Sequence, residues 1–522
     1  MAAIKAAPRA GESAEANLSR AKCKKGRMPM AELLKVTGIK KSFAGVNALK
    51  GVSLSIAPGE IHCLAGENGC GKSTLIKIIS GVYTPDEGKI EFGGRAFSKI
   101  TPIDAIHNGI QVIYQDFSIF PNLTVMENLA FNTELAAGRK AVNWKRLREI
   151  AERAVGMIDF KVDLAAKLGS LSVAEKQMVA ISRALISDAK LIIMDEPTTA
   201  LTKKEVAALF KIILDLKRRD IATLFVSHKL DEVFEISERF TILRSGELVA
   251  TGATSELDKK KFTFYMTGRE FDEEQFTPKN VGEKPVLEVK NLTLPGAFED
   301  VSFSLKRGEI VGVTGLLDSG RTELAMSLFG LKKAESGEVL MDGKPVALES
   351  PTDAIRAGIG YVPEDRLSEG LFLPRSIADN IIVGEIDHLA GAAGVIDRKK
   401  RADEIRRWVA ELSIATPNPD NACQTLSGGN QQRVVLAKWL ACNPDVLILN
   451  GPTVGVDIGS KHDIHKILKG LAEKGMAVVI ISDDLPEVIE NCSAILVMKR
   501  GRIVEKLDAR GATEQAISDI MM

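Results

Sequence analysis

The stretch GENGCGKST, residues 66–74, decides the fold. It follows the apolar run IHCLA (61–65) and precedes the apolar run LIKIIS (75–80), so a glycine-rich loop joins a strand to a helix. That is the context in which G-x-x-x-x-G-K-[ST] cradles phosphate. Gly66, Gly69 and Gly71 let successive backbone N–H groups turn toward an anion, and the helix N-terminus behind them adds partial positive charge. Glu67, Asn68 and Cys70 complete the loop, Cys70 as a small side chain that fills it. Lys72 is expected to reach the β- and γ-phosphates of ATP, Ser73 to ligate Mg2+, and Thr74 to carry the loop into the helix.

Downstream, LIIMDEP (191–197) puts Asp195 and Glu196 at the end of an apolar strand. Asp195 is expected in the Mg2+ shell, and Glu196 beside it polarises the water that attacks the γ-phosphate. A phosphate loop alone implies binding; this pair turns the expectation to hydrolysis.

The same pattern returns further along. Glycine-rich loops begin at Gly66 and Gly315, 249 residues apart, while Leu-Ser motifs begin at Leu171 and Leu426, 255 apart. Apolar strands end at Asp195 and Asn450, also 255 apart, so the chain is a tandem duplication whose second half gained six residues. In each half short β-branched runs (IHCLAG, KLIIMDE, ATLFVSH; EIVGVTG, VLILNG, AVVIISD) alternate with helical stretches such as 203–219. Near-continuous apolar strands between helices predict parallel strands buried on both faces, hence an α/β fold. More helical middle segments, 121–187 and 375–443, read as inserted helical subdomains. Residues 1–30 lack apolar periodicity and read as a disordered tail, with Met28 and Met30 as alternative starts. The expected domains are 31–268 and 286–522, joined by an exposed polar linker at 269–285.

Composition narrows the classes. The 522 residues carry 69 Lys+Arg and 69 Asp+Glu, a neutral balance that argues against a long nucleic-acid footprint. Six cysteines (Cys23, Cys63, Cys70, Cys423, Cys442, Cys492) form no CxxC pair, so neither a zinc ribbon nor a disulfide framework is expected. No run approaches the roughly 18 apolar residues of a membrane span, and the N-terminus lacks a signal-peptide core. A membrane role is therefore expected to be peripheral, through a partner.

Between the two nucleotide motifs lie LSVAEKQ (171–177) and, in the second half, LSGGNQQ (426–432). With these, the chain resembles the ATP-binding cassette (ABC) family over nearly everything after the tail, motifs in order in both halves. The resemblance implies two tandem P-loop NTPase cassettes of ABC type, each with a mainly parallel core sheet, a β-rich edge and an inserted helical subdomain. It also implies head-to-tail pairing, with each nucleotide between the P-loop of one cassette and the signature of the other. Phe43 stands where the family stacks an aromatic on adenine, Gln115 in IYQD resembles the Q-loop glutamine that also reaches the metal, and His228 in FVSHKLDE resembles the switch histidine.

The two halves are not equal. The second P-loop reads GLLDSGRT, with Gly315, Gly320 and Thr322 retained but Arg321 in place of lysine, and a planar guanidinium does not replace a compact ammonium in a tight phosphate nest. Its strand ends LILNGP, so Asn450 and Gly451 replace the two carboxylates; Glu364 aligns with Gln115 and Asp483 with His228. The first half carries the complementary losses. After Ser172 its signature has Val173 and Ala174 where glycines let backbone approach a phosphate, and Thr202 takes the aspartate place after the strand. Head-to-tail pairing would gather every loss into one composite site. The other would join Gly66 to Thr74, Gln115, Asp195, Glu196 and His228 to Ser427, Gly428, Gly429 and Asn430, with Asp457 nearby.

EPTTAL, SVAEKQ, GLLDSGRTEL, VPEDR, LSGGNQQ, GVD and SDDLPE resemble the ATPases of bacterial monosaccharide importers of the ribose/galactose/xylose type. That group commonly keeps Asp-Glu where this chain has Asn450-Gly451. The resemblance implies a peripheral protein on the cytoplasmic face of the membrane. Its partners would be two integral membrane permease subunits and, indirectly, a periplasmic or extracellular solute-binding protein, with permease contact near Gln115 and Glu364. A polyol, nucleoside or signalling-sugar importer is the alternative. A soluble cassette protein acting on ribosomes or nucleic acid is disfavoured by the short mixed linker and neutral charge, and no nucleic-acid partner is expected.

Overall fold

The computed structural model describes residues 32–43, 45–114, 118–136, 142–198, 201–227, 229–271, 275–390 and 394–522. The tail expected at 1–30 lies outside them, as do Gln115 and His228. The chain forms two compact units, Met1–Leu257 and Asp258–Met522.

In the first unit the apolar runs pair as their composition predicts. Ile61–Ala65 lies parallel to Ala222–Val226 and to Arg239–Arg244, and Leu191–Asp195 lies parallel to Ala222–Val226 and to Ile110–Ile113. Glu247–Ala253 closes one edge antiparallel, giving six strands. Both faces are covered, so every residue of Ile61–Ala65 and Ala222–Val226 is buried. On one face Leu64, Leu224 and Val226 pack with Ile76 and Ile79 of the helix Lys72–Ile79 and with Val36, Ile39 and Ile56 of a four-stranded antiparallel sheet. On the other, Ile192, Met194 and Phe225 meet Leu209, Phe210 and Ile213 of the helix Lys203–Arg218. The segment expected to be helical holds Val125–Ala136, Trp144–Gly156 and Val173–Ile186, packed through Val125, Leu129, Ala151, Ala154 and Val179.

The second unit repeats the plan. Its six-stranded sheet places Ile310–Gly315 parallel between Ala477–Ile481 and Ala494–Lys499, with Val446–Asn450 and Ile359–Val362 beyond. An antiparallel sheet of four strands and the helices Ile377–Ile382, Arg398–Glu411 and Gly428–Ala441 complete it.

Residues 258–268, expected at the end of the first cassette, cluster with the second unit, and the linker expected at 269–285, though most of its described residues are exposed, is fastened to that unit at a few points. The helix Lys259–Thr267, with Phe262 and Met266 fully buried, packs on the helix Ile458–Glu473. Phe276 is buried in the core, and the Gln275 Nε2 donates to the carbonyls of Ile489 at 2.9 Å and Ala509 at 2.7 Å. Arg269 pairs with Asp463 and Lys279 with Glu473. The charged composition that suggested a solvated linker surrounds one aromatic anchor and one amide, and these hold the segment. Among the described residues no helix is long and apolar enough to cross a membrane.

Candidate active site

The first P-loop shows why its glycines stand where they do. Gly66 has φ of 155°, and a Cβ there would lie 2.4 Å from the Cys70 Sγ and 2.5 Å from the Leu243 carbonyl oxygen. Gly71, at φ 109°, would strike the Ala48 carbonyl at 2.7 Å. Cys70 fills the loop as expected, buried, with its thiol pushed up by that burial. The Lys72 side chain is buried inside the loop, its Nζ donating to the carbonyls of Gly66 at 2.5 Å and Glu67 at 3.0 Å. Among the described residues this buried ammonium is held by carbonyls alone, and phosphate oxygens would be charge-assisted and therefore stronger partners for it. Ser73 is exposed at the head of the helix, and Asn68 and Gly69 face solvent beside it.

Asp195 ends the strand next to this nest. Burial pushes its carboxyl above the ordinary range and Glu196 adds to the rise, while Lys72 and Lys77 pull the other way. A desolvated carboxylate with a like-charged neighbour gains from a cation, so Ser73 and Asp195 fit Mg2+ held against phosphate. Glu196 sits at φ 48°, in the left-handed region that a residue with a Cβ enters only at a cost of roughly 1–2 kcal/mol. Its N–H donates to the Val226 carbonyl at 3.2 Å, which fixes that turn. Phe43, 38% exposed, presents its ring edge-on to Tyr83, centroids 5.1 Å apart, with the Lys41 ammonium 5.4 Å from its centre. Tyr83 was not singled out by sequence, because nothing near it in the chain marks it as Phe43's neighbour.

In the second unit the loop backbone is kept and its chemistry changed. Gly315 and Gly320 are still required, since a Cβ would come within 2.5 Å of the Met498 carbonyl and 2.3 Å of the Ala297 carbonyl respectively. Arg321 is buried and its Nη1 donates to the Gly315 carbonyl at 3.0 Å, the counterpart of the Lys72–Gly66 bond; Nη2 lies 3.7 Å from Asp483. Thr322 follows it, half-buried. Leu317 is 84% exposed where the first loop has Asn68. Asn450 is buried against Tyr361, whose hydroxyl burial pushes up to about 12, the Asn450 amide opposing. Tyr361 stacks on Phe329 at 5.1 Å, and Phe329 meets Trp439 edge-on at 5.0 Å. Gly451 keeps the left-handed turn at φ 59°, its N–H on the Ile481 carbonyl at 2.8 Å; a Cβ there would lie 2.9 Å from Val454 Cγ2 and 3.2 Å from Glu364 Cγ.

The signatures differ in a way the glycine count does not disclose. Ser172 caps its helix in a reciprocal box with Glu175, whose carboxylate takes both the Ser172 N–H at 2.8 Å and its hydroxyl at 2.9 Å. The positive helix end is already answered by a carboxylate, which repels a phosphate. Among the described residues Ser427 makes no cap bond, its hydroxyl accepts from the Asn430 amide at 3.0 Å, and the first-turn N–H groups have no side-chain cap. Gly429 is required because a Cβ would lie 2.1 Å from the Ser460 Oγ, and Ser460 is in turn held by Asp457 through its N–H at 2.8 Å. Gly428 opens the helix beside it.

A buried network behind the second site also escaped sequence reading. Burial works against ionisation of Glu487, yet His465, Lys461 and the Ser482 hydroxyl hold its carboxyl down at about 2. It accepts from Thr453 at 2.7 Å and lies 2.7 Å from the His465 Nε2, tying the loop after Asn450 to the strand end that precedes Asp483.

Comparison with known proteins places this geometry. The ABC transporter family model matches residues 49–199 and again 298–454, spanning both P-loops and both strand ends. The chain belongs to the ABC transporter family. Among curated relatives, the cassette pair is similar to the ribose import ATP-binding protein RbsA of Bacillus subtilis, 39% identical over 93% of this chain and 98% of that protein. It is also similar to RbsA of Clostridium perfringens, 41% identical over 94% and 98%. A putative ribose/galactose/methyl galactoside import ATP-binding protein of Halalkalibacterium halodurans is 39% identical over 93% of each chain.

Proposed function

We propose that this cassette pair is the ATP-hydrolysing subunit of an importer for a sugar or related small solute, acting with membrane permease subunits at the cytoplasmic face. One composite site does the work. Lys72 neutralises the β- and γ-phosphates from within its loop, Phe43 stacks the base, and Ser73 and Asp195 hold Mg2+. When bound, Mg2+ neutralises charge developing on the phosphates. Glu196, aimed by its strained turn, accepts the proton of the attacking water. The capless helix end at Ser427, Gly428 and Gly429 receives the γ-phosphate from the other side. Gln115 and His228 carry the Q-loop and switch roles by resemblance. The remaining composite site, with Arg321, Asn450, Gly451 and Ser172, does not hydrolyse.

The observation that carries this reading is the sorting of damage: the half with intact carboxylates has the carboxylate-blocked signature, and the half without them has the open one. The curated relatives are ribose and galactoside import proteins, which favours a monosaccharide. A polyol, nucleoside or signalling sugar is the second reading, and purification with the permease followed by uptake assays of candidate solutes distinguishes them. Glu196→Gln tests the hydrolytic assignment. Steady-state turnover is expected to fall about 100-fold or more with ATP binding retained. Turnover within about twofold of the parent contradicts it.

A further inference from the structure

Arg366 opens a single π turn, Arg366–Gly370, just beyond Glu364. Asp365 caps that turn, accepting from the N–H groups of Leu367 at 2.9 Å and Ser368 at 3.2 Å. The far end is bolted to the signature helix Gly428–Ala441, where the buried Lys438 donates its Nζ to the Gly370 carbonyl at 2.7 Å. The Arg366 guanidinium reaches a different partner. Nη1 donates to the Val454 carbonyl at 2.6 Å and Nη2 to the Gly455 carbonyl at 3.0 Å, both in the loop leading from Asn450 to Asp457. It also fills the gap beside the signature: a Cβ on Gly428 would lie 2.9 Å from Nη2. Its Nε is buried with no acceptor among the described residues. Arg366 therefore touches the signature and the loop that carries Asp457 at once.

Two features set this contact apart from an ordinary brace. A half-buried guanidinium held by two carbonyls loses hydration without the return that a carboxylate gives, so its place costs stability. It also sorts with the open signature, since the first half, whose signature is blocked, has Phe117 at the corresponding position. Arginine suits the task because its rigid fork spans two neighbouring carbonyls, which the single point of a lysine ammonium does not.

We propose that Arg366 is a positioning residue for ATP hydrolysis at the competent site: it sets the spacing between Ser427–Gly429 and the loop Val454–Asp457, and links that spacing to the segment around Glu364. This rests on the reading that the second signature completes the first P-loop. Arg366 is no part of the first half's phosphate loop or of its strand-end carboxylates, so its loss is expected to act on turnover and leave nucleotide affinity in place.

The test uses the full chain purified with its membrane partners, comparing the parent, Arg366→Ala, Arg366→Lys and Glu196→Gln. Arg366→Ala is expected to lower kcat about tenfold or more, with the Kd for ATP within about twofold of the parent. Arg366→Lys recovers part of that loss by restoring one of two bonds, and added methylguanidine partly restores Arg366→Ala. An Arg366→Ala kcat within about twofold of the parent overturns the proposal. So does a variant in which ATP affinity and kcat fall together and neither lysine nor methylguanidine helps, since that marks a folding brace. Full turnover by Glu196→Gln marks failure of the underlying site assignment, whatever Arg366 does.

Discussion

Glu196 and Gly451 occupy one backbone shape, φ 48° and 59°, each N–H bonded to the neighbouring strand's end carbonyl. The left-handed turn is a property of the fold, and the carboxylate is what the second half has given up. Restoring it by Asn450→Asp with Gly451→Glu meets three obstacles. A Cβ at 451 crowds Val454 at 2.9 Å, an aspartate at 450 lies in the apolar surroundings of Tyr361 and Phe329, and Arg321 stays in the loop. In a Glu196→Gln background the double restoration is expected to leave kcat unchanged within about twofold; recovery of half the parent's turnover contradicts this. The P-loop, Asp195 and Glu196 were legible because strand, loop and helix are contiguous, so spacing alone carries the geometry. Glu175 was quoted as part of a degraded signature; its hold on Ser172 has the Ser-x-x-Glu spacing of a capping box, which a reading for phosphate contacts passed over.

At the scale of elements, the signature helix Gly428–Ala441 carries a cation that nothing in its sequence marks as unusual. Burial lowers the Lys438 ammonium to about 8 from 10.5. The folded state then holds fewer protons there than the unfolded chain between pH 8 and 10.5, so this residue's contribution to stability rises with pH across that window. Below pH 8 both states are protonated and the penalty of burying the charge is constant. The stability of the parent relative to Lys438→Met is expected to climb by about 1 kcal/mol per pH unit from 8 to 10, read by urea unfolding at each pH. A difference flat with pH contradicts a buried ammonium. The alternation of strands and helices was legible because parallel strands buried on both faces read as unbroken apolar runs. The π turn was not, because its fastenings join Arg366 to Val454 across 88 residues of chain.

For the whole molecule, the duplication was read from repeat spacing, while the first cassette was expected to run to residue 268, past the boundary between the two compact units. The unit boundary falls at Leu257/Asp258, and the polar stretch after it belongs to the second unit through Phe276 and Gln275. Phe276→Ala is expected to destabilise the second unit by about 3 kcal/mol while leaving the first unit's nucleotide affinity intact, seen as one thermal transition moving and the other holding. Two unmoved transitions contradict the anchor. The central claim, that hydrolysis needs the first half's P-loop and the second half's signature, is tested most directly by comparing Ser427→Arg with Ser172→Arg in steady-state ATPase. Both serines are exposed, but only Ser172 makes a side-chain cap bond, so Ser172→Arg costs its helix about 1 kcal/mol more and the comparison is weighted against the account. The account predicts that Ser427→Arg abolishes turnover while Ser172→Arg keeps at least about half of it. Equal losses from both, or a greater loss from Ser172→Arg, contradict it.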